Sequence, residues 1–293
     1  MPKLPANGIE ISYDSFGDEN ADPLLLIMGL GAQMLLWHED FCEALAERGH
    51  WVIRYDNRDV GLSTCFDEAG VPDMAALAEA LTAGKTAEPP YTVDDMADDG
   101  VGLLTGLGIQ RAHICGASMG GMIAQTLAFN HPKRVRSLTS IMSTSGDPDL
   151  PPPKPHVIAK LLETPPGDRE SSIAHSVEVA RTIGSPDFPT PEGELRERAT
   201  LMFDRSFHPE GTARQLAAIV AQGSRREKLR ALDVPALVIH GKADDLVPFE
   251  GGVDTLDCIE GAEALWIEGM GHDLPRPLWP EIIAAIRCLT ERA

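Results

Sequence analysis

The stretch Ala112-His113-Ile114-Cys115-Gly116-Ala117-Ser118-Met119-Gly120-Gly121-Met122-Ile123-Ala124 decides how the rest of the chain is read. An apolar strand runs into Gly-x-Ser-x-Gly, and an apolar helix follows. A serine on so tight a strand-to-helix turn takes strained backbone angles, and glycine-sized flanks let strand and helix approach that closely. Ser118 is therefore a candidate nucleophile held at the end of a strand. The same turn opens a helix at Met119, whose backbone N–H is placed to meet a developing oxyanion.

Upstream, residues 3–6 and 9–13 read as a hairpin around Asn7-Gly8. A buried-type run, 24–28, stops at Gly29-Leu30-Gly31, where the Leu30 N–H is the expected second oxyanion donor. A helical pattern passes through Trp37, Phe41 and Leu45, residues 51–55 form another strand, and Thr92 caps a helix ending near Gly106. Downstream, the helix 119–130 leads to a strand at 135–142. Strands alternating with helices predict βαβ units and a parallel sheet. From about Ser145 to Lys228 the alternation lapses into helical stretches punctuated by Pro151-Pro152-Pro153 and the proline-rich 185–191. It resumes with strands at 236–240 and 264–267 and a C-terminal helix from about Pro280. The expected organisation is a core of 1–144 and 229–293 with a helical cap, 145–228, inserted into it.

A serine hydroxyl is a poor nucleophile near neutral pH and needs a base within hydrogen-bond reach. Among nine histidines, His272 follows the last strand in the glycine-flanked loop Gly269-Met270-Gly271-His272-Asp273-Leu274. The base in turn needs a carboxylate that fixes its tautomer. Asp244 and Asp245 both stand just past the strand ending at His240. Loop spacing favours Asp244, with Asp245 as the alternate, and His240 itself is read as a brace for that loop. The resulting chain order is Ser, Asp, His.

Composition narrows the function classes. A formal net charge of -20 over 293 residues repels phosphate backbones and anionic lipid surfaces. Five widely spaced cysteines without a CxxC pair fit reduced thiols, and no apolar run has the length of a signal peptide or a membrane span, so a cytoplasmic location is expected. Asp94, Asp95, Asp98 and Asp99 lie at helical spacing without histidine among them, which is read as a solvated helix face and not as a metal site.

Through Leu26-Ile27-Met28-Gly29-Leu30-Gly31, the Ser118 turn, the Asp244 loop and Gly269-Met270-Gly271-His272, nearly the whole chain resembles the α/β-hydrolase superfamily. More narrowly it resembles the aclacinomycin methylesterase-like esterases and the related actinobacterial lipase/esterase group. In Asp56-Asn57-Arg58-Asp59-Val60-Gly61-Leu62-Ser63 this chain carries Asp59 where many superfamily members have glycine, and Met28 stands where many have histidine. The resemblance implies an eight-stranded, mostly parallel sheet with a helical cap after strand six, a Ser-His-Asp triad and no cofactor.

The expected activity is hydrolysis of a small to medium, apolar carboxylic ester through an acyl-enzyme. Met142, Met202, Phe203, Phe207, Met270 and Leu274 are the expected pocket residues. A lactonase, thioesterase or perhydrolase would use the same triad, and a non-catalytic small-molecule receptor could be built on the same fold.

Overall fold

The apolar runs read as strands enter one sheet. In a computed structural model of the chain, residues 1–83, 88–161, 163 and 167–293 are described. The strands are β1 (Lys3–Ala6), β2 (Ile9–Phe16), β3 (Asp22–Ile27), β4 (His50–Tyr55), β5 (Ala112–Ala117), β6 (Val135–Ile141), β7 (Ala236–Gly241) and β8 (Glu263–Ile267). The helices are α1 (Glu39–Ala46), α2 (Met74–Thr82), α3 (Val93–Gly106), α4 (Met119–Asn130), α5 (Pro155–Leu161), α6 (Arg169–Ile183), α7 (Glu192–Arg205), α8 (Pro209–Gln222), α9 (Arg226–Arg230), α10 (Phe249–Cys258) and α11 (Trp279–Thr290).

The sheet order is β1-β2-β4-β3-β5-β6-β7-β8. The β1–β2 and β2–β4 pairs are antiparallel and every other pair is parallel. Positive φ at both Asn7 (48°) and Gly8 (78°) is what a two-residue primed turn between twisted strands requires. The chain moves from β3 to β4 on one side and then to β5 on the other, so a crevice opens at the C-terminal ends of β3 and β5.

Burial on both faces explains why the central strands read as continuous apolar runs. Leu25 and Ile27 of β3 pack into the core on the side of α3 and α4, while Leu24 and Leu26 pack with Phe41 of α1 and Ile282 of α11 on the other side. Thr92 caps α3 through a reciprocal box with Asp95, as its position ahead of the apolar pattern suggested.

Helices α5 to α9 lie between β6 and β7 in the chain, with no strand among the described residues of that interval. A small apolar cluster of their own, Ile173, Val177, Leu195 and Ala199 with Phe203 against it, holds α6 to α7. Ala218 of α8 and Leu229 of α9 join the main core, and polar contacts add to this attachment. Arg205 of α7 donates to Asp56 Oδ2 (2.7 Å), and Arg214 of α8 grips both oxygens of Asp59 (2.8 and 2.8 Å).

One expectation is corrected. Asp94, Asp95 and Asp98 are partly exposed, but Asp99 is 1% exposed and accepts from Arg58 Nε and Nη2, each at 2.7 Å. One helical turn beyond Asp95, the chain has rotated that carboxylate toward the buried loop after β4, where only a paired charge is tolerated.

Candidate active site

Ser118 occupies the corner between β5 and α4 with φ 57° and ψ -123°, a backbone conformation unusual for any residue with a side chain. Its flanks show why glycine is needed. A Cβ on Gly116 would stand 1.9 Å from the Gly120 carbonyl oxygen, and one on Gly120 would stand 2.1 Å from that of Ile27. Across residues 112–128, Ser118 is the one position that is not buried. The fold thus brings a single hydroxyl of this segment to solvent.

His272 and Asp244 arrive from the ends of β8 and β7. His272 Nε2 lies 2.9 Å from Ser118 Oγ, and Nδ1 lies 2.7 Å from Asp244 Oδ2. An ionised carboxylate only accepts, so Nδ1 carries the ring proton and Nε2 is free to accept from the hydroxyl. Asp244 is anchored in its turn: its Oδ1 accepts from the backbone N–H groups of Leu246 (2.9 Å) and Val247 (2.8 Å). Burial alone would raise the pKa of Asp244, but the neighbouring His272 and hydrogen bonds from His240 and His272 outweigh it and hold the carboxyl at about 2. Asp245, the alternate, points elsewhere; it is 42% exposed and lies 3.4 Å from His156.

His240 braces the acid loop as expected. Its Nε2 donates to the Val247 carbonyl (2.9 Å) and stands 3.5 Å from Asp244 Oδ2.

The loop after β3 touches the serine. A Cβ on Gly29 would lie 3.0 Å from Ser118 Cβ and 3.4 Å from Oγ. Leu30 therefore follows a residue too close to the Ser118 side chain for a side chain of its own, and Met119 opens α4, where a helix's first N–H groups lack intrahelical acceptors.

The His272 loop is pinned by the last residue of α6 and the segment just after it. The Ile183 carbonyl accepts the His272 N–H (2.7 Å), and Ser185 Oγ accepts the Gly271 N–H (2.9 Å). Ser185 also donates through its hydroxyl and its N–H to Asp273, whose pKa burial pushes upward. Neither Ile183 nor Ser185 carries a sequence signal for this task. Each acts through a contact more than eighty residues away along the chain.

Of the expected pocket residues, Met142 (6% exposed) and Met270 (fully buried) sit in the core cluster around β6 and β7. Leu274 is partly exposed at its edge, Met202 and Phe203 are partly exposed on α7, and Phe207 is 43% exposed with its ring 4.6 Å from that of Phe203. A cleft of about 810 Å³ lies elsewhere, at the N-terminal ends of β5 and β6 between Arg111, Phe129, Lys133 and Lys228. It contains none of these residues.

Asp59, Cys65 and His208 present ligand-type atoms within 4.8 Å of one another. Arg214 already spans both Asp59 oxygens there, so the cationic position beside that carboxylate is filled by the protein itself.

The profile of the alpha/beta hydrolase fold family matches residues 22–257. Rhodomycin D methylesterase DauP from a Streptomyces species is 30% identical over 299 residues, covering 96% of this chain and 94% of the relative. The 3-oxoadipate enol-lactonase 2 of Acinetobacter baylyi is 25% identical, covering 85% of this chain and 81% of the relative. Among solved structures, a meta-cleavage product hydrolase from Pseudomonas fluorescens superposes with a TM-score of 0.77 at 20% identity, covering 100% of this chain and 98% of its own.

Proposed function

This chain is a member of the α/β-hydrolase family and a hydrolase, and on that footing we propose that it is a serine carboxylesterase in which Ser118 is the nucleophile, His272 the general base and Asp244 the residue that orients it. The observation that carries the proposal is the unbroken relay of 2.9 Å and 2.7 Å from the Ser118 hydroxyl through His272 to Asp244.

In the forward step, Ser118 Oγ attacks the ester carbonyl carbon as its proton passes to His272 Nε2. The carbonyl oxygen takes up the negative charge and is received by the backbone N–H groups of Met119 and Leu30. Collapse of the tetrahedral species expels the alcohol, protonated by His272, and leaves an acyl-serine. Water then gives a proton to His272, attacks the acyl carbon, and releases the acid while the serine regains its proton. Asp244, ionised down to about pH 2, stabilises the imidazolium that forms twice in the cycle.

Helices α5 to α8, within 145–228, supply the cap in this reading, and α9 crosses its end at 228. Leu30, Met202, Phe203, Phe207 and Leu274 offer apolar surface that is not fully buried, which suits an ester with a bulky apolar part. Met142 and Met270 lie in the core cluster against which Leu274 packs. The methylesterase similarity favours release of a small alcohol. The enol-lactonase similarity supports a second reading, the opening of a cyclic ester by the same attack.

Replacing Ser118 by alanine should lower turnover of p-nitrophenyl esters by about 10⁶. A fluorophosphonate should label the native chain at Ser118 and leave the variant unlabelled. Near-native turnover in Ser118→Ala would end the proposal. A chain-length series of p-nitrophenyl esters set beside methyl esters and lactones then separates the two substrate readings.

A further inference from the structure

The loop that carries Leu30, one residue past the Gly29 that neighbours Ser118, is a tight turn. The Ala32 N–H bonds back to the Gly29 carbonyl (3.2 Å), and Gly31, its third residue, has φ 64°, as in a type II turn. Type I and type II turns differ by a flip of the central peptide, here the one joining Leu30 to Gly31. Within the turn nothing holds that peptide, because its N–H points away from the bond that closes the turn.

The holding group comes from elsewhere. Gln215, on α8 and fully buried, accepts the Gly31 N–H through Oε1 at 2.8 Å and donates from Nε2 to the Arg58 carbonyl at 2.7 Å. Thr212, one helical turn earlier, packs where a Cβ on Gly31 would lie, 2.6 Å from its Oγ1. On the near side, Asn57 Nδ2 donates to the Met28 carbonyl at 2.8 Å.

We infer that Gln215 is a positioning residue for the oxyanion hole, anchoring from the inserted helices the turn in which the proposed donor Leu30 lies. The inference rests on the serine-esterase reading. Its two bonds give the amide a fixed orientation, since the acceptor and donor ends face different backbone groups and cannot exchange. Removal of the acceptor takes from the Gly31 N–H the side chain that ties this turn to α8.

Gln215→Met keeps the length of the side chain and removes both bonds. With p-nitrophenyl butyrate, kcat should fall by about 10²-fold while KM stays within about twofold, because the oxyanion forms only after binding. Affinity for an alkyl trifluoromethyl ketone, which forms an oxyanion adduct on the serine, should fall in parallel with kcat/KM. Inhibition by an uncharged amide of the same acyl chain should not change. Unchanged kcat and ketone affinity in a folded Gln215→Met chain would overturn the inference, as would equal losses for the ketone and the amide.

Should that variant fail to fold, Gln215→Glu replaces it. Its protonated form keeps both bonds, and its ionised form sets a carboxylate against the Arg58 carbonyl. The ratio of variant to native kcat should therefore decline between about pH 6 and 9 as the buried carboxyl ionises. A flat ratio would overturn the inference. Activity that survives Ser118→Ala would instead remove the underlying serine-esterase reading, so the two failures are distinguishable.

Discussion

Arg214 and Asp59 form a fully buried two-point pair, Nε to Oδ2 and Nη2 to Oδ1, each 2.8 Å, joining α8 to the loop after β4. The pair accounts for a departure in the sequence. Asp59 has φ 67°, a conformation that favours glycine and that aspartate tolerates better than most residues. The strain is compensated by the guanidinium and by the Phe66 N–H, which donates to Asp59 Oδ1 at 2.7 Å.

Restoring glycine there should therefore harm the protein. Asp59→Gly relaxes the backbone but leaves the buried Arg214 charge with only the longer 3.5 Å pair to Asp67, and the expected loss is about 3 kcal/mol. Adding Arg214→Met to the same chain should recover most of it. Urea unfolding of the single and double variants is the measurement, and equal stability of native and single variant would refute the account.

The two acids after β7 should separate sharply. Asp244→Asn removes the acceptor that fixes the Nδ1–H tautomer, and kcat should drop by about 10⁴. Asp245→Asn, at an exposed position turned toward His156, should leave kcat within about twofold. Steady-state rates on one p-nitrophenyl ester decide both.

Acid stability should carry the mark of His113. Burial, with Arg136 and His50 adding to it, lowers this ring from its ordinary 6.5 to about 4, and Ser137 Oγ lies 2.8 Å from Nδ1. The unfolded chain binds the proton more readily than the folded one between those two values. Stability is therefore full above pH 6.5 and declines as pH falls toward 4, by at most about 1.4 kcal/mol per pH unit for this group. His113→Gln should flatten that part of the profile, measured as urea midpoints across the window. A native profile without slope there would contradict the assignment. Asp244 is lowered to about 2, so its own loss falls below that window, between 3.8 and about 2.

Ser185→Ala should weaken the His272 loop. The Gly271 N–H loses its acceptor and Asp273 loses a donor, for an expected cost of about 1–3 kcal/mol. The kcat of a p-nitrophenyl ester should fall with it, whereas fluorophosphonate labelling should still find Ser118, only more slowly.

What the sequence disclosed and what it withheld follow one physical division. Ser118 announces itself because its corner needs Gly116 and Gly120 within two residues, and Leu24 to Ile27 read as a strand because both its faces are buried. Asp244 and His272 follow from chain order and from glycines beside their strand ends. Asp99 misled because helical spacing describes one helix, whereas its carboxylate answers to Arg58, 41 positions away. Gln215 and Ser185 were silent for the same reason. A glutamine at 215 looks like any polar residue on a helix until Gly31, 184 positions earlier, is folded against it.

The segment between β6 and β7 holds Gly31, Asp56, Asp59, Gly271 and His272 by hydrogen bonds, so if that segment chooses the substrate, it is fastened to the part that would react with it. Grafting this segment from another hydrolase to change preference must therefore import matching anchors. A transplanted cap that fills the pocket well but lacks counterparts of Gln215, Arg214 and Ser185 should bind its new ester and turn it over poorly.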